Sequence, residues 1–277
     1  MSQEPLATWE GRDTEFWRQT WQAGAVLFYR SVASTNDVVA RLAVAGAPHF
    51  SIVVADEQLR GRGRGGSRWQ APAGTALLFS VLFRMKRQGS APGCAPVRAG
   101  LAVAQAVEQL SGHKPLVKWP NDVVFSGHGK LAGILCEGAV GQSGRAHIVA
   151  GIGVNVTQDA QQFASELRGQ ACSIRSATGV FVERSQLLTD IVARLHAVAA
   201  DITAPLSAQE LQQLRMHDVL LDQAVVCGLE GGVTLAGRAR GIARDGALLV
   251  EGQGGLRALY NGTVRLAGNV PYPGVGE

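Results

Sequence analysis

The sequence predicts an α+β protein with one mixed sheet flanked by helices, over residues 1–214, and a small C-terminal β-barrel over residues 215–277. Three observations predict it. Short apolar runs rich in Val and Ile alternate with segments of helical spacing, but without a regular βαβ repeat. From about Met216 the texture changes to brief strand-like runs divided by "EGG", "RDG", "GQGG" and "NG", which are hairpin signals. Finally, 46% hydrophobic residues in 277 suffice to bury a core, while 35 glycines demand many turns and close backbone approaches.

The elements follow in order. Residues 1–24 are polar with three tryptophans and weak periodicity, so a short helix or a loose arm is expected there. "AVLFYRSVASTNDVVARLAVAG" reads as strand, turn and helix, with Ser34 or Thr35 as the capping hydroxyl and Gly46 as the stop. "SIVVADEQ" is a strand that runs directly into "LRGRGRGGSRW". "TALLFSVLF" is too short and too apolar for a surface helix and reads as a buried strand. "APVRAGLAVAQAVEQLSG" has the spacing of a helix, and "LVKWPNDVVFSGHGKLAGILCEG" that of two strands joined by a glycine-histidine turn. "HIVAGIGVNV" is another buried strand. Residues 183–200 and "SAQELQQLR" are helical, with Pro205 near the junction to the barrel.

Several function classes are disfavoured. A net charge of +4 would suit a polyanionic ligand but is mild for this length, so general nucleic-acid binding is not the expectation. Cys94, Cys136, Cys172 and Cys227 are widely spaced and form no C-x-x-C pair, so reduced thiols are the simplest reading, and no metal site is assigned. The N-terminus lacks the pattern of a secretory signal and no apolar run reaches membrane-spanning length; a soluble, cytoplasmic protein with no membrane or nucleic-acid partner is expected.

The segment "GRGRGGSRW" satisfies G-x-G-x-x-G at Gly61, Gly63 and Gly66, yet Pro72 and Gly74 follow where a dinucleotide-binding helix would have to run. No G-x-x-x-x-G-K-[ST] occurs, since leucine follows Gly129 and Lys130. RNA binding would need aromatic residues among the arginines, and Trp69 is alone there. What remains is a solvated connector or a loop that wraps anions. Arg62 and Arg64 can grip carboxylate and phosphate oxygens with guanidinium forks while bare glycines let the backbone close in.

"STND" at 34–37, "DEQLRGRGRGGSRW" at 56–69, "KWPND" at 118–122, "KLAGIL" at 130–135, "GIGVN" at 151–155 and "GIARDGALLVE" at 241–251 occur in the order found in the biotin protein ligases. On these motifs the chain resembles that family from about residue 28 to 267. The resemblance implies a class II synthetase-like catalytic fold with an SH3-like C-terminal barrel. It implies ATP-dependent activation of biotin to biotinyl-5'-AMP, then transfer to a lysine of a biotin carboxyl carrier protein. ATP and Mg²⁺ are the implied cofactors, the ion being held mainly by ATP phosphates.

Residue by residue, the resemblance implies that Ser34, Thr35, Asn36 and Gln58 bind the ureido ring of biotin. Gly61, Arg62 and Arg64 would close over the biotin carboxyl and the adenylate phosphate, and Gly133 would leave room for the ring. Lys130 is the expected main catalytic cation, with Arg62, Arg64 and Asp122 beside it. Trp69, Lys118, Asn121, Asp122, Asn155 and, from the barrel, Arg265 would serve the nucleotide, together with Arg64. Arg60 and Gly65 depart from the family pattern and bear on affinity and loop closure rather than on the reaction. No winged-helix segment precedes residue 25, so a monofunctional ligase is expected. The nearest alternative is a lipoate or octanoate ligase of the same fold; the other is a non-catalytic nucleotide-binding module.

Overall fold

The computed structural model describes residues 4–85, 93–140 and 146–268. Of residues 1–24, expected as a short helix or an arm, residues 1–3 lie outside the described residues, and the rest hold a miniature hairpin of β1 (Thr8–Trp9) and β2 (Arg12–Asp13) and then helix α1 (Thr14–Thr20), whose first turn is capped by Asp13. Trp9, Trp17 and Trp21 are buried, and Trp9 stacks on Phe28 at a centroid distance of 5.4 Å. The tryptophans that look idle in sequence are thus the apolar content that pins this segment to β3 (Val26–Val32).

Helix α2 (Thr35–Val44) leads to β4 (Ile52–Gln58), which pairs parallel with β3. A short hairpin, β5 (Gly61–Arg62) with β6 (Arg68–Trp69), precedes β7 (Ala76–Arg84). Helix α3 (Cys94–Ser111) follows. The segment 116–140 contains three strands rather than the expected two: β8 (Leu116–Lys118), β9 (Asp122–Phe125) and β10 (Gly129–Val140). "WPN", with a cis Trp119–Pro120 peptide, makes the extra turn. Then come β11 (Ala146–Asn155), α4 (Ile174–Thr178), α5 (Arg184–Ala197) and α6 (Ala208–His217). The expected division between residues 214 and 215 falls inside α6.

Seven strands form one sheet in the order β3-β4-β7-β11-β10-β9-β8, antiparallel except for β3 and β4. Strand β7 is buried along eight of its nine residues because both of its faces are covered. Leu77, Phe79, Val81 and Phe83 face the core beneath α3 and α5, while Leu82 packs with Val38 and Val39 of α2. This two-sided burial is why "ALLFSVLF" shows no polar alternation. Each of these large side chains contributes about 1.5–3 kcal/mol by leaving water.

The remaining strands, β12 (Ala224–Gly228), β13 (Thr234–Ile242), β14 (Leu248–Gly252), β15 (Gly255–Leu259) and β16 (Thr263–Leu266), make the C-terminal antiparallel sheet in the order β15-β14-β13-β12-β16. Residues 269–277 of the expected barrel lie outside the described residues. The two sheets share a core: Cys94, Val97 and Leu101 of α3 and Trp119 pack with Val225, Cys227 and Leu248. Trp119 Nε1 donates to the Gly246 carbonyl at 3.0 Å. Buried Arg98 fastens the linker, donating to the carbonyls of Ile202 and Ala204 and to Glu210 Oε1 at 2.6 Å. No helix among the described residues is long and apolar enough to cross a membrane.

Candidate active site

The floor of the site is a bare patch of the large sheet. Gly151 pairs with Ser80 and with Leu135, and Gly153 pairs with Leu78 and with Gly133. Directly opposed residues share a face, as do residues two apart on a strand, so Ser80, Gly133, Gly151 and Gly153 all face one side. That side is the one covered by α2. A β-carbon at Gly151 would collide with Asn36 Oδ1; one at Gly153 would lie 2.7 Å from the Trp69 ring. At Gly133 a β-carbon would meet the Trp69 ring edge at 3.0 Å and Lys130 Nζ at 3.3 Å, so the space expected for the biotin ring is here shared with an indole.

A polar head closes one end. Ser34 occupies the N-cap position of α2 but makes no side-chain cap bond, and the Thr35 hydroxyl turns away to Gln58 Oε1 at 3.0 Å. The expected capping hydroxyl is therefore absent at both residues. The Thr35 backbone N–H also donates to Gln58 Oε1, at 2.8 Å. Buried Ser80 lies between them, its hydroxyl 2.6 Å from Asn36 Oδ1 and 2.7 Å from Thr35 Oγ1. Ser34, Thr35, Asn36 and Gln58 line a cavity of about 70 Å³ together with Trp69, Asn121 and Lys130.

The glycine-arginine segment is the lid of this cavity. Its strands pair Gly61 with Trp69 and Arg62 with Arg68, around a turn in which Gly65 (φ 61°) and Gly66 (φ 79°) are left-handed. The glycine at 65, where the family pattern often has a basic residue, thus suits its backbone conformation. A side chain at Gly61 would strike the Trp69 carbonyl. Arg62 does not reach freely into the cavity: Nη1 pairs with Asp37 Oδ1 at 2.7 Å and Nη2 with Glu137 Oε2 at 3.2 Å. Arg64 instead spans to the C-terminal sheet, with Nη1 3.5 Å from the Gly262 carbonyl.

Lys130 is placed by an irregularity. The β9–β10 register shifts between Lys130 and Ala132, and β10 opens there to bond Gln170 and Cys172. Bulges of this kind redirect side chains. Lys130 Nζ sits 2.6 Å from Asp122 Oδ1 and 5.7 Å from the centre of a Trp69 ring. Asp122 itself pairs with Gly133 and so shares the site face.

Three larger cavities adjoin; the largest, of about 740 Å³, lies on the outer side of the hairpin by Asp37, Arg62 and Glu137, and the other two border Lys130. One, of about 680 Å³, lies between the hairpin, the "KWPND" turn and the C-terminal sheet, and gathers Arg64, Lys118, Asn121, Asp122, Lys130 and Arg265. Four cations around one cleft suit a polyanion. Another, of about 300 Å³, brings Trp69, Lys118, Asp122 and Asn155 together with Phe163, Leu167 and Gln170. Asn121 and Asn155 are tied down: Asn121 Nδ2 donates to the Ile134 carbonyl at 2.9 Å, and Asn155 Nδ2 to that of Cys172 at 3.0 Å. The cysteines are free, and burial pushes the thiols of Cys136 and Cys172 up to about 12, leaving them protonated and poor nucleophiles. Among the described residues no cluster of three or more His, Cys, Asp or Glu is arranged to hold a metal.

Sequence reasoning missed Ser80, Glu137, Gly151, Gly153, Phe163, Leu167 and Gln170. The "GIG" spacing carried a usable signal, since glycines two apart on a buried strand bare one face. Nothing local marks Phe163 or Leu167, which reach the site from an irregular segment.

Residues 28–155 match the model of the biotin/lipoate A/B protein ligase family, and residues 220–266 that of the biotin protein ligase C-terminal domain. The biotin–(acetyl-CoA-carboxylase) ligase of Mycobacterium tuberculosis is 32% identical over 223 residues, covering 79% of this chain and 80% of that protein. The enzyme of the same name from Paracoccus denitrificans is 31% identical, covering 82% and 94%. Among solved structures, a biotin protein ligase from Aquifex aeolicus in complex with biotin and ATP shares the fold, with a TM-score of 0.72 and 23% identity over 87% of this chain and 99% of that one. With two matching models in order and relatives above 30% identity over most of their length, this chain belongs to the biotin protein ligases.

Proposed function

We infer that the protein joins biotin to a lysine of a biotin carboxyl carrier protein in two steps. A biotin carboxylate oxygen attacks the α-phosphorus of ATP, the bond to the β-phosphate breaks and pyrophosphate leaves. The carrier lysine then attacks the acyl carbon of biotinyl-5'-AMP; the new C–N bond replaces the bond to AMP and the amine loses a proton. Magnesium enters as part of the substrate, MgATP, held chiefly by phosphate oxygens and water.

The observation that carries this reading is the placement of Lys130. Its ammonium lies where the enclosed cavity meets the cationic cleft, next to Asp122, and lines both. A carboxylate in the first and a triphosphate in the second meet at that ammonium. A cation about 4 Å from a unit negative charge is worth about 4 kcal/mol at an effective dielectric of 20. Arg64 and Arg265 extend the positive field toward the departing pyrophosphate, and Lys118 and Asn121 border the same cleft. Asn155 borders the cavity of about 300 Å³, where the Trp69 indole and the side chains of Phe163 and Leu167 offer apolar surface that suits an adenine ring.

The polar head favours biotin over lipoate or octanoate. Ser34, Thr35, Asn36 and Gln58 line the cavity with polar groups that a ureido ring can engage and that a dithiolane or an alkyl chain cannot. The test is ATP–pyrophosphate exchange with biotin, lipoate, octanoate or no acid, followed by transfer to a carrier domain. Exchange with biotin alone is expected; exchange driven by another acid reassigns the substrate, and none at all removes the ligase reading.

A further inference from the structure

The Asn36 side chain is 4% exposed and both ends of its amide are engaged. Nδ2 donates to Glu137 Oε2 at 2.6 Å and to the Leu135 carbonyl at 3.3 Å. Oδ1 accepts from Ser80 Oγ at 2.6 Å. A carboxylate only accepts, so Glu137 decides which way the Asn36 amide points. With Oδ1 turned to Ser80, the serine proton is committed to Asn36. The Thr35 hydroxyl then serves Gln58 Oε1 or Ser80, and the Thr35 N–H holds Gln58 Oε1 in either case, which turns the Gln58 amide nitrogen to the opposite side. The donor and acceptor pattern of the head thus descends from one carboxylate that does not itself line the enclosed cavity.

The same carboxylate accepts from Arg62 Nη2 of the hairpin, at 3.3 Å to Oε1 and 3.2 Å to Oε2, while Asp37, next to Asn36, takes Nη1. The side chains of Arg62 and Glu137 are 41% and 44% exposed, and an ion pair that open adds little to stability. Its meaning is positional.

We propose that Glu137 is a positioning residue that orients the Asn36 amide in the biotin-binding head and anchors Arg62 of the hairpin, so that gripping the ring and closing the lid are one coupled event. The proposal rests on the biotin ligase reading above.

Glu137→Gln keeps the shape but presents an amide that can donate, which releases the fixed direction of the chain. Three readouts test it on the full-length protein: biotin-dependent ATP–pyrophosphate exchange, Tm, and trypsin cleavage at the hairpin arginines with and without biotin. The variant is expected to keep its Tm and its saturated exchange rate. Its KM for biotin should rise about ten- to a hundredfold, the effect of losing a hydrogen bond to a charged group, and biotin should no longer protect the hairpin from trypsin. Arg62→Gln added to Glu137→Gln should raise KM by much less than Arg62→Gln alone does in the parent. Glu137→Asp, which keeps the charge but withdraws it by one methylene, should show the same split should the glutamine variant fold poorly. A KM and a protection pattern like the parent's in folded Glu137→Gln or Glu137→Asp, or fully additive losses with Arg62→Gln, overturn the proposal. Absence of biotin-dependent exchange in the parent protein overturns the ligase reading on which it stands.

Discussion

Lys130 Nζ lies 2.6 Å from Asp122 Oδ1, although Asp122 pairs across the sheet with Gly133, three positions further along the strand. In an unbroken strand residues 130 and 133 face opposite sides. The register shift between Lys130 and Ala132 removes that parity and delivers both to one face.

Replacing Lys130 with alanine removes a preorganised cation from a surface-accessible position, so the fold should survive. The exchange rate with saturating biotin and ATP is expected to fall about 10²- to 10³-fold, as for loss of one oriented donor. Circular dichroism and exchange on the same sample check this, and near-normal exchange would remove Lys130 from its role.

Gly151→Ala places a methyl group against the Asn36 amide. The neighbour is held by Glu137 and Ser80 and has nowhere to retreat. Overpacking of this kind costs about 1–3 kcal/mol. Denaturant unfolding should show that loss, with a KM for biotin raised at least about tenfold if Asn36 turns.

Asp218 gives a pH dependence of stability. Burial pushes its carboxyl from 3.8 up to about 6, against the pull of the Leu220 and Leu221 backbone N–H groups and Arg215, with Asp222 adding a further push. The folded state holds the proton more tightly than the unfolded chain, so this group favours folding at low pH and that contribution is lost as pH rises from about 4 through about 6. Asp218→Asn should therefore melt higher than the parent at pH 8, and the gap should shrink toward pH 4. A constant gap across that range would show that the carboxyl titrates normally.

Trp69 fills the space above Gly133 and Gly153, and the cavity left beside it is about 70 Å³. Ligand pockets usually measure about 300–1,000 Å³. Biotin entering this cavity is expected to shift the indole, and the emission of Trp69 should then report binding. The other four tryptophans are buried in the two cores. Trp69→Phe is expected to abolish the biotin-dependent change in fluorescence; a change retained in that variant would assign it elsewhere.

Much of the architecture was legible because it is written in local pattern. The alternation of β-branched runs and helical spacing located α2, α3, α5 and the strands, and "RDG" and "NG" marked the C-terminal sheet. What failed was read over too short a range. Pro120 reads as a rigid turn, but the residues before it do not read as a strand of their own, and the turn's structure depends on Trp119 docking onto Gly246. A capping hydroxyl at Ser34 or Thr35 is the local expectation for such residues, whereas Ser34 makes no cap bond and Gln58, 23 positions from Thr35, competes for its hydroxyl. The motifs located the site; the pairing of Arg62 with Asp37 and Glu137 is a tertiary fact that no local pattern carries.

Trp119 also has a consequence for how this molecule comes apart. Its indole belongs to the wall between two sheets that share α3 as their common beam, and its chain continues directly into Asn121 and Asp122 at the cationic cleft. A cut ahead of the C-terminal strands is expected to strip the roof from Val97 and Leu101 and to leave the indole without its acceptor. The two sheets are therefore expected to unfold in a single transition, and the turn at residues 118–122 leans on strands about a hundred residues downstream.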